Sequence, residues 1–327
     1  MDRRMFIGSL AGGLLAARLS EAQHTGTPPL ICLLPLGSPA DAYDQALVEA
    51  FRQGLREAGV AEGRDLELEV IWTKGELEVA QAVVRLKQRG VKLLIPVGST
   101  ASMTVKRQAP DTRILFLSVG NPLGLGLVES LRRPGGNVTG FSDVLAELSS
   151  KYVQFAIELG KPPGVVYYIW HSGWTDGQYR FQRTEEAANA LNVRLRAQAF
   201  TDETEVDDAM AAMKKGGAAV VIVQPSPFTF RLRDRLIDAA SSRGLATSFA
   251  FRPAAPAGAL ITYGPDYADL NRRAAAYLGR IQKGTRPGDL PVEQPTKFEL
   301  VINLKTARAV GVVVPQSLRL RADLLIE

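Results

Sequence analysis

Unbroken apolar runs alternate with amphipathic stretches along almost the whole chain, and that rhythm restricts the fold more than any other feature. Residues 30–36 form one such run, the pattern of a parallel strand covered on both faces. Within 41–59, Leu47, Ala50, Phe51, Gly54, Leu55 and Ala58 recur at helical spacing before Gly59 ends the stripe. Strands at 66–72, 92–97 and 114–119 and helices at 76–89 and 99–108 continue the series. Such repetition requires right-handed crossovers and a parallel sheet. Past a Pro-Gly turn at 134–137 the rhythm restarts, with helices at 146–159, 177–191, 206–216 and 229–243 and strands at 165–169, 193–200, 219–224 and 246–251. A short strand at 260–263, a long helix at 267–283, an extended piece at 290–295, a strand at 299–303 and a helix at 304–309 complete the chain. Two series in 327 residues predict two doubly wound α/β lobes, because a single core seldom grows beyond about 250–300 residues. The link, 118–142, is predicted to hold a ligand-facing turn at Gly120-Asn121-Pro122, a short amphipathic helix and the crossing into the second lobe.

The first 23 residues stand apart. Arg3-Arg4 precedes an apolar run at 5–17, and Ser20 and Ala22 offer small residues for cleavage, so 1–23 is predicted to be a secretory signal of twin-arginine type and the mature protein periplasmic. Cys32, the only cysteine, lies inside the first apolar run and is expected to be a small core residue. The net charge of +5 comes from interleaved signs with no basic block, which argues against nucleic acid as a partner. With only His24 and His171, and no Cys/His cluster or acidic cage, no metal is expected. No G-x-S-x-G is present; Glu129 occupies the third glycine position after Gly124-Leu125-Gly126; and Lys283-Gly284-Thr285 lacks the upstream glycine of a P-loop. No cofactor and no enzyme activity are therefore predicted. The alternatives are a two-lobed enzyme such as a transferase, which needs a catalytic carboxylate or nucleotide loop, and a sensor uncoupled from transport.

In open α/β sheets ligands sit beyond the carboxyl ends of the strands. The loops there supply Ser38 and nearby Tyr43, then Gly98-Ser99-Thr100 and Gly120-Asn121-Pro122 in the first lobe. Ser99 and Thr100 open a helix and can either hold an anion or simply cap it. In the second lobe the candidates are Trp170, His171 and Trp174, then Pro225 and Ser226, then Phe249 and Arg252. Two tryptophans this close in an aromatic-poor chain suit a stacking wall, or local packing.

The stretch L-P-V-E-Q-P-T-K-F-E-L-V-I-N-L at 290–304 resembles the C-terminal signature of a family of bacterial ABC-transporter substrate-binding proteins that includes tryptophan- and tyrosine-binding members. A-G-A-L-I-T-Y-G-P-D at 257–266, R-P-G-G-N-V-T-G at 133–140 and F-R-Q-G-L-R-E-A-G at 51–59 are similar to other runs of that family, and Gly120-Asn121-Pro122 to its G-D-P turn. The resemblance implies a type I periplasmic binding protein fold: two doubly wound parallel-sheet lobes, 29–138 plus 265–290 and 139–264 plus 291–327, joined by three crossing segments. It also implies a monomer that closes on a small-molecule ligand and delivers it to ABC permease subunits. Thr139, Gly140, Tyr263, Gly264 and Pro291 would be hinge residues, and Tyr263 would also face the ligand. The chain departs from the family at Ser226-Pro227-Phe228, where amino-acid-binding relatives carry an acidic group, at Phe249, where they carry tyrosine, and at His171-Ser172, where they carry Asn-Pro. These changes favour an aromatic or carboxylated organic ligand held by Ser99, Thr100 and Arg252.

Overall fold

The computed structural model describes residues 27–159 and 165–327. The predicted export segment, 1–23, and His24 lie outside them. The first half runs β1 (Leu30–Leu34), α1 (Ala42–Glu57), β2 (Glu67–Val70), α2 (Glu76–Gln88), β3 (Leu93–Pro96), α3 (Ser99–Gln108), β4 (Arg113–Val119) and β5 (Val138–Ser142). There follow α4 (Ser149–Leu159), β6 (Val165–His171), α5 (Gly177–Ala190), β7 (Arg194–Phe200), α6 (Val206–Lys215), β8 (Val220–Val223), α7 (Pro227–Arg231), α8 (Arg233–Ser241), β9 (Ala246–Phe249) and β10 (Ile261–Pro265). The chain ends with α9 (Tyr267–Gln282), β11 (Phe298–Asn303), α10 (Leu304–Val310), α11 (Gln316–Arg319) and β12 (Leu324–Ile326).

Among the described residues the strands form two sheets, β2-β1-β3-β4-β5 and β12-β11-β10-β9-β8-β6-β7. Pairing is parallel throughout except between β10 and β11. Both halves share one winding: the chain steps outward from the opening strand (β1 or β6) to β2 or β7, then crosses back to build the other side. The reversal leaves a crevice between the carboxyl ends of β1 and β3, and another between those of β6 and β8.

Side-chain alternation splits the first lobe's core in two. Ile31, Leu33, Leu93 and Ile95 pack with Phe51 and Leu55 of α1 and Leu270 and Ala274 of α9. Cys32, Leu34 and Leu94 face Val79, Val83, Ala101 and Val105 of α2 and α3. Burial pushes the Cys32 thiol up to about 12, in keeping with an inert core residue. Helix α9 follows a strand of the second sheet yet returns to pack on α1, so close that a Cβ on Gly54 would overlap the Arg272 carbonyl. In the second lobe Ile169, Val221 and Val223 meet Met210, Met213, Leu236 and Ala240 of α6 and α8.

Three segments cross between the lobes side by side. Thr139 Oγ1 donates to Leu290 O at 2.7 Å, Glu293 N to Gly140 O at 3.0 Å, and Ser142 N to Glu293 O at 2.9 Å. Tyr277 donates to Pro291 O at 3.0 Å, and β10 leaves the second sheet beside Lys297, whose carbonyl accepts from Asp266 N at 3.1 Å.

Two local expectations are corrected and one element is added. The helix predicted after Pro122 is a run of turns, because the Asn121 side chain takes the Gly124 amide and Gly126 sits at φ 66°, outside helical geometry. The helix predicted at 229–243 starts earlier, at Pro227 behind the Ser226 cap, and divides at Leu232. Strand β12 was not anticipated: with three residues at a sheet edge it carries too little pattern to register.

Candidate functional site

A cavity of about 390 Å3 lies where the crevices of the two sheets face each other. The loop after β1 brings Ser38, whose amide donates to Asp44 Oδ2 at 2.9 Å, and Asp41, which caps α1 through the amides of Tyr43 and Asp44. The loop after β3 brings Gly98 and Ser99. From the second lobe, the loop after β6 supplies Trp174 and leads to Arg180 on α5, the loop after β8 supplies Pro225 and Ser226, and α7 behind it supplies Phe228 and Phe230. Asp143, just past β5, and Tyr267, at the start of α9, close the floor.

Several contacts join the lobes across this cavity. Ser99 Oγ donates to Asp176 Oδ2 at 3.2 Å, the Thr100 and Thr175 hydroxyls lie 2.6 Å apart, and Arg233 Nη2 donates to Asp41 Oδ2 at 2.7 Å. Tyr43 meets the edge of Phe230 with ring centroids 5.4 Å apart, and Phe251 stacks on Tyr267 at 5.4 Å. The Arg233 guanidinium also covers the Phe230 ring at 4.5 Å.

Electrostatics concentrate at the floor. Arg180, 4% exposed, donates from Nε to Asp176 Oδ2 at 2.9 Å and from Nη2 to Asp143 Oδ2 at 3.3 Å. Burial works against the guanidinium charge, but Asp143 and Asp176 outweigh it and hold Arg180 protonated. Burial also pushes the Asp143 carboxyl above its ordinary range, against the pull of Arg180. Burial does the same to Asp44. Among the described residues Arg180 Nη1, Asp176 Oδ1 and the Tyr267 hydroxyl have no hydrogen-bond partner, although all three atoms are buried. Two strained residues border the cavity floor: Ser118 at φ 56° lines it, and Val144 at φ 50° follows Asp143. Around the whole cavity Asp41, Asp44, Asp143 and Asp234 are balanced in number by Lys74, Arg180, Arg231 and Arg233.

Of the residues singled out from sequence, Ser38, Tyr43, Gly98, Ser99, Trp174, Pro225 and Ser226 line the cavity. The others are placed elsewhere. Thr100 is spent on the contact with Thr175. Gly120 abuts the Arg180 guanidinium from behind, Asn121 caps its own turn, and Pro122 accepts from Leu127 N there. Trp170, still within β6, stacks on Phe181 with centroids 5.2 Å apart. His171 packs on Phe228 and approaches Thr201 O at 3.0 Å. Phe249 is core on β9, and Arg252 pairs with Glu299 at 3.0 Å on the surface. Tyr263 points to the opposite face of its strand, against Phe155 and Phe298. Ser99 donates to Asp176 and Arg252 is outside, so the predicted anion site of Ser99, Thr100 and Arg252 is not assembled. Sequence reasoning missed Asp41, Asp44, Asp143, Arg180, Arg233, Phe230 and Tyr267. Asp176 and Arg180, four apart, read as an ordinary helix-surface pair.

The sequence pattern of the family described as ABC transporter substrate binding protein matches residues 40–326. The chain belongs to that family. It is 24% identical over 263 residues, 80% of its length and 75% of the relative's, to the tyrosine-binding protein of Clostridioides difficile (strain R20291). Among solved structures it resembles a conserved domain protein from Vibrio cholerae, with a TM-score of 0.82 and 21% identity over 92% of this chain and all of that one. An ABC domain from Streptococcus pneumonia in complex with L-Trp gives a TM-score of 0.80 and 19% identity over the same shares. The fold is that of the type I periplasmic binding proteins, two parallel-sheet α/β lobes, and the family is one of substrate-binding proteins. Among the described residues no group of acidic, histidine and cysteine side chains could hold a metal, and no helix is long and apolar enough to cross a membrane.

Proposed function

We propose that this protein is the solute receptor of an ABC importer, exported to the periplasm as a monomer, and that its lobes close over a small ligand with an aromatic body for delivery to a permease. The observation that carries this reading is the cavity itself, set at the facing crevices of two doubly wound sheets and walled by Tyr43, Trp174, Phe228, Phe230 and Phe251. Flat rings stack well on such walls. Equal numbers of acidic and basic side chains around it suit a ligand of little net charge. The tyrosine-binding relative and the L-Trp complex support aromatic amino acids as the first probes.

A ligand that binds only the folded, closed form stabilises it in proportion to ln(1 + [L]/Kd). With L-tryptophan, L-tyrosine and L-phenylalanine as probes, at a hundredfold excess over Kd, the expected rise in melting temperature is about 5 °C. Calorimetry should give one site per chain in a monomeric protein. Recovery of a chemically altered ligand would instead indicate an enzyme, and the absence of any shift with aromatic solutes would refute the receptor reading for this class.

A further inference from the structure

We propose that the ligand carries a carboxylate and that Arg180 Nη1 and the Tyr267 hydroxyl hold it at the cavity floor. This rests on the reading of the cavity as the solute site and adds the chemistry of the ligand's polar end. Two buried donors at the floor lack a partner, Arg180 Nη1 and the Tyr267 hydroxyl, as does one acceptor beside them, Asp176 Oδ1. Arg180 is 4% and Tyr267 5% exposed, both line the cavity, and neither Nη1 nor the hydroxyl is satisfied by any described residue. Leaving a buried donor unpaired is costly, more so on a charged group. The other donors of Arg180 are fixed on Asp176 and Asp143, which aim the guanidinium while leaving Nη1 free. Both residues line the same cavity, and a guanidinium N–H with a phenol O–H offers two donors that a carboxylate can accept together.

The surroundings favour the same ligand group. Ser99, first residue of α3, donates to the Asp176 oxygen that also accepts from Arg180 Nε, which sets the positive end of a ten-residue helix beside the carboxylate that holds the guanidinium. Asp143 and Asp176 leave the cluster formally negative by one charge, which opposes an anion; burial offsets this by favouring the protonated form of Asp143. The two donors also come from opposite lobes, Arg180 from α5 and Tyr267 from α9, which packs on α1. A carboxylate between them binds the closed arrangement and loses one donor when the lobes part, which is the differential affinity that closure requires.

The test compares probes that share a ring and differ at the polar end: L-tryptophan, indole-3-propionate, which lacks the ammonium, and tryptamine, which lacks the carboxylate. Their dissociation constants are measured by calorimetry on the full-length mature protein. The two carboxylates should bind at least about tenfold more tightly than tryptamine. Tyr267→Phe removes one hydroxyl and keeps the ring on Phe251; it should weaken both carboxylates about tenfold and leave tryptamine unchanged. Arg180→Gln should weaken them further if the variant folds, and Tyr267→Phe decides the matter if it does not. Tryptamine binding as tightly as L-tryptophan, or Tyr267→Phe without effect on indole-3-propionate, would overturn the carboxylate assignment while the aromatic receptor stands. Failure of all three probes to bind would remove both.

Discussion

Trp170 and Trp174 are four residues apart and end in different surroundings. The first belongs to β6 and stacks on Phe181; the second lies past the strand end and lines the cavity. Trp174→Ala should therefore raise the Kd for L-tryptophan about tenfold, a stacking contribution of roughly 1–1.5 kcal/mol. Trp170→Ala should lower the melting temperature and leave that Kd unchanged; the pair is read by calorimetry and thermal unfolding, and equal effects on affinity would contradict the placement. The residue scale is also where sequence said least. Both tryptophans are visible as aromatic residues near a strand end, but which one faces the crevice depends on where the strand stops. Asp176 and Arg180 are less legible still, because burial turns an apparent surface pair into the floor of a cavity.

Elements were legible where burial is two-sided. The unbroken runs of β1, β3 and β8 are the direct imprint of sheets covered on both faces, so their order along the chain could be read without the structure. Position relative to the sheet's reversal was harder to use. Segments after β1, β3, β6 and β8 build most of the cavity wall, whereas the end of β4 contributes only Ser118 and the loop after β9 only Phe251, which is why Asn121 and Arg252 fall outside. The crossing strands carry a test of their own. A Cβ on Gly140 would overlap the Phe116 carbonyl, and one on Gly264 the Ala250 carbonyl, both of them backbone atoms that cannot swing aside. Gly140→Ala and Gly264→Ala should each cost about 1–3 kcal/mol in chemical unfolding. Wild-type stability in both variants would mean that the crossings are looser than described.

At the scale of the molecule the question is what holds two lobes together around a ligand. The helix return of α9 and the three side-by-side crossings tie them at the back, so the front must be held by contacts that can break. Asp41 and Arg233 form such a contact, 2.7 Å across the cavity with side chains 18% and 19% exposed. Burial alone would raise the Asp41 carboxyl, but the Arg233 guanidinium and the Asp44 and Tyr43 amides outweigh it and hold it below its ordinary value of 3.8. A carboxylate depressed in the closed form contributes fully above 3.8 and loses its contribution as pH falls through the depressed value. Asp41→Asn keeps an effective cap on α1 and removes the ion pair. At pH 7 it should weaken binding of L-tryptophan by about fivefold, or roughly 1 kcal/mol, and leave the melting temperature of the unliganded protein nearly unchanged. The difference between wild type and variant should persist at pH 5 and shrink only below 3.8, as the wild-type carboxyl takes up its proton. Small-angle scattering of the liganded protein gives the geometric counterpart, since the variant should show a larger radius of gyration at subsaturating ligand. A difference in affinity already vanishing at pH 5 would mean that Asp41 is not held down by Arg233, and that the closed form is secured by Ser99, Thr100 and the ligand alone.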